Sequence, residues 1–422
     1  MKRSVLAACL GWMFSAVDII LLILFQNEVA TGLHTSVETI KLAIGVGLLG
    51  SALGGIVFAQ LGDRYGRVRA LGWCVIVYSL ATAGMALAPG VGVLMAMRFL
   101  SGVGTGGEWS VGFALIAEVS PRTGRGWLGG VVAATFNVGT ALAIGLFQSP
   151  LGWRGAFAVM ALPAVGVLWL RRSVPESPVW TGLQDARARG EVDPALEAAY
   201  RRPPLALRLR GRLRGLTLKI TLIFVLMNFA FYAFSTTFLD YLQSQGGLGL
   251  DKAGQAPYQG ILNVTSLASI LVAGWLSDRI SRRLTYAALC LLGVVGYLVL
   301  FLGVRGAGVA VPTGLMAILA VIVLSYGING VIGTITAELF PTHLRSTGPG
   351  FCQNVGKGLG GLAGPPVAGM LVLRHGYAPV LAMPGLFLLA LALLIWTLPR
   401  ADGREVCPVE GDDYLTHATP SG

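Results

Sequence analysis

A chain of 422 residues that is 55% hydrophobic and only 12% charged is not a water-soluble domain, since soluble domains carry about 25% charged residues. The formal net charge of +11 would suit a nucleic-acid binder, but that function needs its basic residues gathered on one polar face, and here they are strung between apolar runs. Five cysteines without paired spacing (Cys9, Cys74, Cys290, Cys352, Cys407) and four histidines scattered at 34, 343, 375 and 417 form neither a disulfide framework nor a metal constellation.

In chain order, twelve apolar runs are predicted as membrane-spanning helices, at 5–25, 39–60, 70–88, 92–118, 127–148, 154–171, 217–241, 257–276, 284–304, 312–338, 347–372 and 378–398. About 20 residues of helix cross the roughly 30 Å of hydrocarbon in a bilayer. The runs are too long, and lack the alternation, for barrel strands. Met1-Lys2-Arg3 ahead of the first run suggests a signal peptide, but the run reaches Phe25, carries Asp18 and is followed by no small-residue cleavage site. It is read as an uncleaved first span. Six spans before a polar segment and six after it predict an all-α polytopic membrane protein of two six-helix bundles, 1–173 and 216–400, joined by a loop at 174–215 and followed by a polar tail at 401–422.

With the amino terminus in the cytoplasm, 24 of the 31 Lys and Arg residues fall inside, two within spans and five outside (Lys41, Arg154, Lys252, Arg305, Arg374). This positive-inside bias places both termini in the cytoplasm of a multi-pass cell-membrane protein, so the basic excess reflects topology. The run Arg208, Arg210, Arg212, Arg214 ahead of the seventh span is read as a charge cluster that stops translocation, rather than as a lipid-headgroup site.

Three motifs occur twice, in the same order. Leu61-Gly62-Asp63-Arg64-Tyr65-Gly66-Arg67 is echoed by Leu276-Ser277-Asp278-Arg279-Ile280-Ser281-Arg282, Ala117-Glu118 with Pro121 and Arg125 by Ala337-Glu338 with Pro341 and Arg345, and Asn137-Val138-Gly139 by Asn354-Val355-Gly356. The offsets of 215, 220 and 217 residues mark a duplicated unit, as in two-halved transporters. Gly102-x-Gly104-x-x-Gly107 matches a dinucleotide fingerprint formally, but it lies in an apolar span with no strand before it, so it is read as helix packing. No G-x-x-x-x-G-K-[ST] loop is present, so nothing points to ATP-driven pumping.

The segment from Ala59 to Arg69 resembles the G-x-L-x-D-R-x-G-R-R signature of the major facilitator superfamily, with Ala59 in place of the first glycine. Gly274-x-Leu276-x-Asp278-Arg279-x-x-Arg282-Arg283 is a second copy, and Pro175-Glu176-Ser177-Pro178-Val179-Trp180 resembles an element of the sugar-porter-like members. Gly106-Gly107-Glu108-Trp109 resembles the proton symporters for sialate, lactate, pyruvate and aromatic acids, although Ser15-Ala16-Val17-Asp18 keeps only the second acid of their D-G-[FY]-D element. The resemblance implies the twelve-helix major facilitator fold, alternating access, and a cytoplasmic gate of Asp63, Arg64, Arg67 and Glu118 with twins Asp278, Arg279, Arg282, Glu338 and Arg345. Gly360-x-x-x-Gly364-Pro365 stands in the eleventh span, not the fifth where drug antiporters carry it, which argues against drug efflux.

Charges within hydrocarbon cost several kcal/mol unless paired or hydrated. Asp18 lies 13 residues into a span that starts inside, and Arg98 six residues into one that starts outside. At about 1.5 Å per residue these depths, roughly 20 Å from the inner edge and 9 Å from the outer, are the same level. The two can pair, with Asp18 expected to carry the coupled proton; the alternative is a permanent pair that braces two helices. Glu108 is a second proton or inner-gate candidate. Lys357 falls at mid-depth in one repeat only, where an ammonium awaits a substrate carboxylate or else pairs with an acid such as Asp18 or Asp240. Asn137, Asn354, Asn228 and Tyr232 are further substrate-binding candidates at that level, with Gln353, Tyr326 and Asn329 behind them.

The sequence is therefore read as a proton-coupled symporter of a small organic anion. The alternative is a sugar or polyol porter, with a drug or metabolite exporter behind that. It is expected to act as a monomer, with the proton as coupling ion, no other cofactor, and no nucleic-acid partner. A channel would need a ring of like charges and an enzyme a nucleophile–base set or metal ligands, and neither is present.

Overall fold

A run of apolar side chains that must cross hydrocarbon folds as helix, because a helix satisfies its own backbone polar groups. The computed structural model describes residues 2–119, 125–163, 166, 174–190, 211–244, 247–306, 312–340 and 347–399, which form helices and turns with no strand among them. The first half consists of α1 (Lys2–Leu24), α2 (Gln26–Gly32), α3 (Val37–Tyr65), α4 (Arg67–Met85), α5 (Val91–Val119), α6 (Arg125–Gln148) and α7 (Gly152–Val159). After α8 (Pro178–Ala188) the second half consists of α9 (Gly211–Gln243), α10 (Lys252–Arg279), α11 (Arg282–Gly306), α12 (Pro312–Leu324), α13 (Ile328–Leu339), α14 (Thr347–His375), α15 (Tyr377–Ala382) and α16 (Pro384–Leu394). Eight described stretches are long and apolar enough to cross a membrane. The central loop at 191–210 and the tail from 400 lie outside the described residues.

Most observed helices run a few residues beyond the predicted spans, and four further differences stand out, two of them with local causes. The predicted tenth span is α12 and α13 joined by a 3₁₀ turn at Ser325–Gly327. The twelfth breaks at Met383, ahead of Pro384, whose ring removes an N–H donor. The chain continues past α1 into α2, which was not anticipated. The predicted loop contains α8, started by the Ser177 hydroxyl, which accepts the Trp180 N–H at 3.3 Å, and by Pro178 in the first turn, both strong helix-start signals.

Within the first half α3 and α4 pack on α5, and α1 packs on α6; within the second, α9 packs on α14 and α11 on α16. The two bundles meet along two seams, α3 with α14 and α6 with α10. The glycine fingerprint is helix packing: Gly102 lies against the backbone of Gly47, and Gly104 against Tyr78 and Cys74. The repeat is visible in contacts as well as in sequence. Gly139 of α6 lies on Met13 of α1, and its twin Gly356 of α14 lies on Phe224 of α9.

Both bundles begin at one end of the molecule, which also carries the basic α3–α4 and α10–α11 turns and is called here the basic face; the opposite end is the far face. Gly66, between α3 and α4, has φ of +106°, a conformation open at little cost only to glycine.

Candidate functional site

Asp18 of α1 and Arg98 of α5 meet inside the first bundle, with Arg98 Nη1 at 2.9 Å from Asp18 Oδ2. Each residue is 1% exposed. The carboxylate also accepts from the Thr82 hydroxyl and from the Ser101 hydroxyl at 3.1 Å, and Arg98 donates to the Asp18 carbonyl at 3.0 Å. The hydroxyls orient the acid and the guanidinium supplies the compensating charge, which is what a buried carboxylate needs to remain there. Gly47 of α3 makes room for the Arg98 side chain, because a Cβ would stand 2.7 Å from Nε.

Between the bundles lies a cavity of about 250 Å³, just below the roughly 300–1,000 Å³ usual for small-molecule sites. Of the expected substrate-binding residues, Lys357, Gln353, Asn137, Asn228, Tyr232 and Tyr326 line it, as does Asn329. Lys357 is 5% exposed and forms no hydrogen bond or ion pair with any described residue. Asp18 and Arg98 are not among the residues that line the cavity. Asp240, the other acid considered for Lys357, instead faces Lys41 at 3.9 Å and accepts from the Tyr377 hydroxyl at 3.1 Å.

One expectation needs correction. Asn354 does not line the cavity; its amide nitrogen donates to the Ser110 hydroxyl at 2.8 Å and its oxygen accepts from Ser51 at 3.4 Å, so it ties α14 to α3 and α5. Its depth is as predicted, but the helix turns it toward the other bundle. Glu108 is 3% exposed and lies against Gly11 of α1, away from the cavity. Asn228 lines the cavity but commits one of its two amide N–H groups to the Phe224 carbonyl at 2.7 Å, which leaves one donor and its oxygen for a ligand. Sequence reasoning missed the aromatic wall of Trp12, Phe136 and Phe231 and the amides Gln259 and Asn263. The one available signal was the spacing of those two amides, four residues apart in a predicted span.

The far face carries a clasp that the sequence showed only as topology charge. Lys252 of α10 pairs with Glu28 of α2 at 2.5 Å, donates to the Phe147 carbonyl at 3.3 Å and lies over the Phe147 ring at 4.5 Å. Gln148 donates to the Lys252 carbonyl at 2.9 Å, and the Asn27 amide donates to Gln243. An exposed pair of this kind is worth about 0–1 kcal/mol, weak enough to open in each cycle. Lys252→Ala is expected to raise labelling of a cavity cysteine (Thr140→Cys) by an impermeant thiol reagent added from the far side. Unchanged labelling would show that the clasp does not hold that end.

Residues 5–356 match the profile of the Major Facilitator Superfamily. The chain belongs to that superfamily. It is 28% identical over 412 residues to the niacin transporter NiaP of Acinetobacter baylyi, covering 92% of this chain and 91% of the relative. The cis,cis-muconate transport protein of the same organism is 27% identical over 377 residues, covering 88% and 87%. The solved structure of the proton:xylose symporter XylE, an E. coli protein, superposes with a TM-score of 0.76 at 18% identity over 96% of this chain and 97% of that one. The protein is thus a multi-pass membrane transporter with the superfamily's twelve-helix, two-bundle fold, and not an enzyme.

The superfamily motifs sit at the basic face. Arg282 pairs with Glu338 and lies 3.6 Å from Asp278. Asp278 in turn accepts the Trp127 N–H at 3.2 Å across the seam, at the N-terminal turn of α6, where the helix dipole favours a carboxylate. Glu176 of the sugar-porter-like element performs the same service for α4, accepting the Val68 N–H at 3.0 Å. Arg64 and Arg279, also expected in the gate, lie over Tyr65 at 5.3 Å and Trp275 at 4.1 Å. Arg67 opens α4 beside Gly62. The side chains of Asp63 and Glu118, and the whole of Arg345, lie outside the described residues. Asp278→Asn weakens the cap across the seam and is expected to favour opening at the basic face, read as faster labelling of the same cavity cysteine from that side. Labelling at the wild-type rate would reduce Asp278 to a topology charge.

Proposed function

We propose that this superfamily member carries a small carboxylate together with a proton by alternating access, with its basic face and both termini in the cytoplasm. The observation that carries the reading is Lys357, a buried cation on the cavity wall with no partner among the described residues. An ammonium removed from water costs several kcal/mol unless an anion compensates it, and the substrate is the anion that can do so. Two relatives bear the names of carboxylate compounds, niacin and cis,cis-muconate, which supports the class without naming the substrate.

Coupling follows from the charges behind the wall. With Asp18 ionised, its charge cancels that of Arg98 and the cavity feels Lys357 alone. A proton on Asp18 leaves Arg98 uncompensated beside Lys357, so the cavity holds an anion more tightly. By linkage the anion favours the proton equally, and the pair would move together. The basic-face network and the far-face clasp would open in turn as the bundles rock.

A neutral sugar or polyol is the second reading, favoured by the amides Gln259, Asn263 and Asn137 on the cavity wall. Counterflow into proteoliposomes separates the two. Nicotinate or another carboxylate from a panel is expected to exchange and xylose not to. Exchange of sugars alone would reverse the assignment.

A further inference from the structure

Four amide atoms of cavity-lining residues have no hydrogen-bond partner among the described residues: Gln353 Oε1 on α14, and Asn137 Nδ2, Gln259 Oε1 and Asn263 Oδ1, which cluster at the α6–α10 seam. Asn137 is 6% exposed and Gln259 8%. Buried polar atoms are nearly always paired, and each one left open costs about 1–3 kcal/mol. The three at the seam lie together on facing helices, and their grouping needs a reason. Their orientation is set by the bonds their neighbouring atoms make. Asn263 Nδ2 donates to the Asn137 carbonyl at 3.0 Å, and Gln259 Nε2 donates to Gln255 Oε1 at 3.4 Å.

The cluster also has a definite place. Asn137 is on α6 and the other two are on α10, so it straddles the α6–α10 seam, whereas Lys357 is on α14, in the separate α3–α14 seam. Gln259 lies one helical turn, about 6 Å, nearer the far face than Asn263. Between the two seams the wall is aromatic, with Trp12 and Phe136 rings 5.5 Å apart.

The geometry points to a two-pole site. Resting on the carboxylate reading of Lys357 above, the substrate carries a second, neutral polar group that docks in the Asn137–Gln259–Asn263 cluster, with a flat apolar body between the poles. A hydroxyl fits this cluster: it accepts from Asn137 Nδ2 and donates to Asn263 Oδ1 or Gln259 Oε1. Because those partners belong to different bundles, the distal group draws the seam together over the bound molecule. The substrate class is a hydroxylated or N–H-bearing monocarboxylate, as opposed to a plain hydrocarbon acid.

The test is a binding series on the full-length protein, read by the fluorescence of the cavity residues Trp12 and Trp109. The probes are benzoate, 3-hydroxybenzoate, 4-hydroxybenzoate, hexanoate and 6-hydroxyhexanoate. In the wild type the better hydroxylated probe is expected to bind at least about tenfold more tightly than its parent acid, since a site built to pair a hydroxyl rejects the analogue that lacks one. Asn137→Leu and the double variant Gln259→Leu/Asn263→Leu should each collapse that ratio, while Lys357→Gln weakens parent and hydroxylated probe together and keeps the ratio. Each ratio is taken within one variant, so loss of folded protein cancels. If Lys357→Gln weakens every acid but hydroxylation makes no difference in the wild type, water fills the cluster and the two-pole site is overturned while the carboxylate reading stands. A ratio that persists in both amide variants overturns it equally. If no carboxylate binds, or Lys357→Gln changes nothing, the carboxylate reading falls and the two-pole site with it.

Discussion

Replacing Lys357 by Gln is expected to lower the apparent affinity for a carboxylate at least tenfold, about 1.4 kcal/mol. Glutamine keeps a similar reach and a hydrogen-bond donor and deletes only the charge. A hydrogen bond to a charged group is worth about 1.5–3 kcal/mol, so tenfold is the lower end of the loss. The empty protein should respond in the opposite sense. Lys357 is 5% exposed and unpaired among the described residues, so removing its charge also removes a desolvation cost, and thermal stability in detergent should hold or rise. Affinity for a neutral solute should be far less affected. Should Lys357→Gln bind and exchange carboxylates with wild-type affinity, the anion reading loses its main support and the polyol reading moves ahead.

Asp18→Asn is expected to abolish accumulation driven by an inward proton gradient while leaving counterflow exchange. Asparagine keeps one oxygen, which can accept from Arg98 and Ser101 where Asp18 Oδ2 does, turns its amide N–H group toward the Thr82 hydroxyl oxygen, and permanently imitates the protonated acid. In the proposed coupling, a proton on Asp18 leaves Arg98 uncompensated near Lys357 and tightens anion binding. A further unit charge near the anion strengthens its binding, because Coulomb attraction is weakly screened away from water. The variant should stay at the tight-binding limit at every pH. If it still concentrates substrate, Asp18 is not the proton carrier and its pair with Arg98 is a brace. Loss of counterflow as well as accumulation would make the pair structural, as expected when one partner of a buried pair is removed and the other is left uncompensated.

The sites that could be read in the sequence are those where a cost must be explained. Asp18 and Arg98 could be placed at one level by counting residues, because a charge in hydrocarbon needs a partner and helix rise converts position to depth. Lys357 stood out for the same reason, lacking a twin in the other repeat. What could not be read was rotation about each helix axis. Asn354 lies at the right depth but faces Ser51 and Ser110, and Trp12, Phe136 and Phe231 read the same whether they face lipid or cavity. Only packing between helices sets those directions. The pair made by Lys252 could not be read either, because a lone basic residue carries no local sign of a partner as remote as Glu28. The duplicated motifs, by contrast, exposed the two-bundle architecture directly, since one repeat cannot bury its cavity-facing surface alone.

The central claim is that a carboxylate and a proton cross together, and it is tested most directly by uptake into proteoliposomes holding the purified protein. A carboxylate that exchanges in counterflow is presented outside at low pH, with the interior at higher pH and the membrane potential clamped at zero. The account predicts transient accumulation above the external concentration that a protonophore abolishes. Equilibration to the external concentration and no further, with or without the gradient, would contradict it.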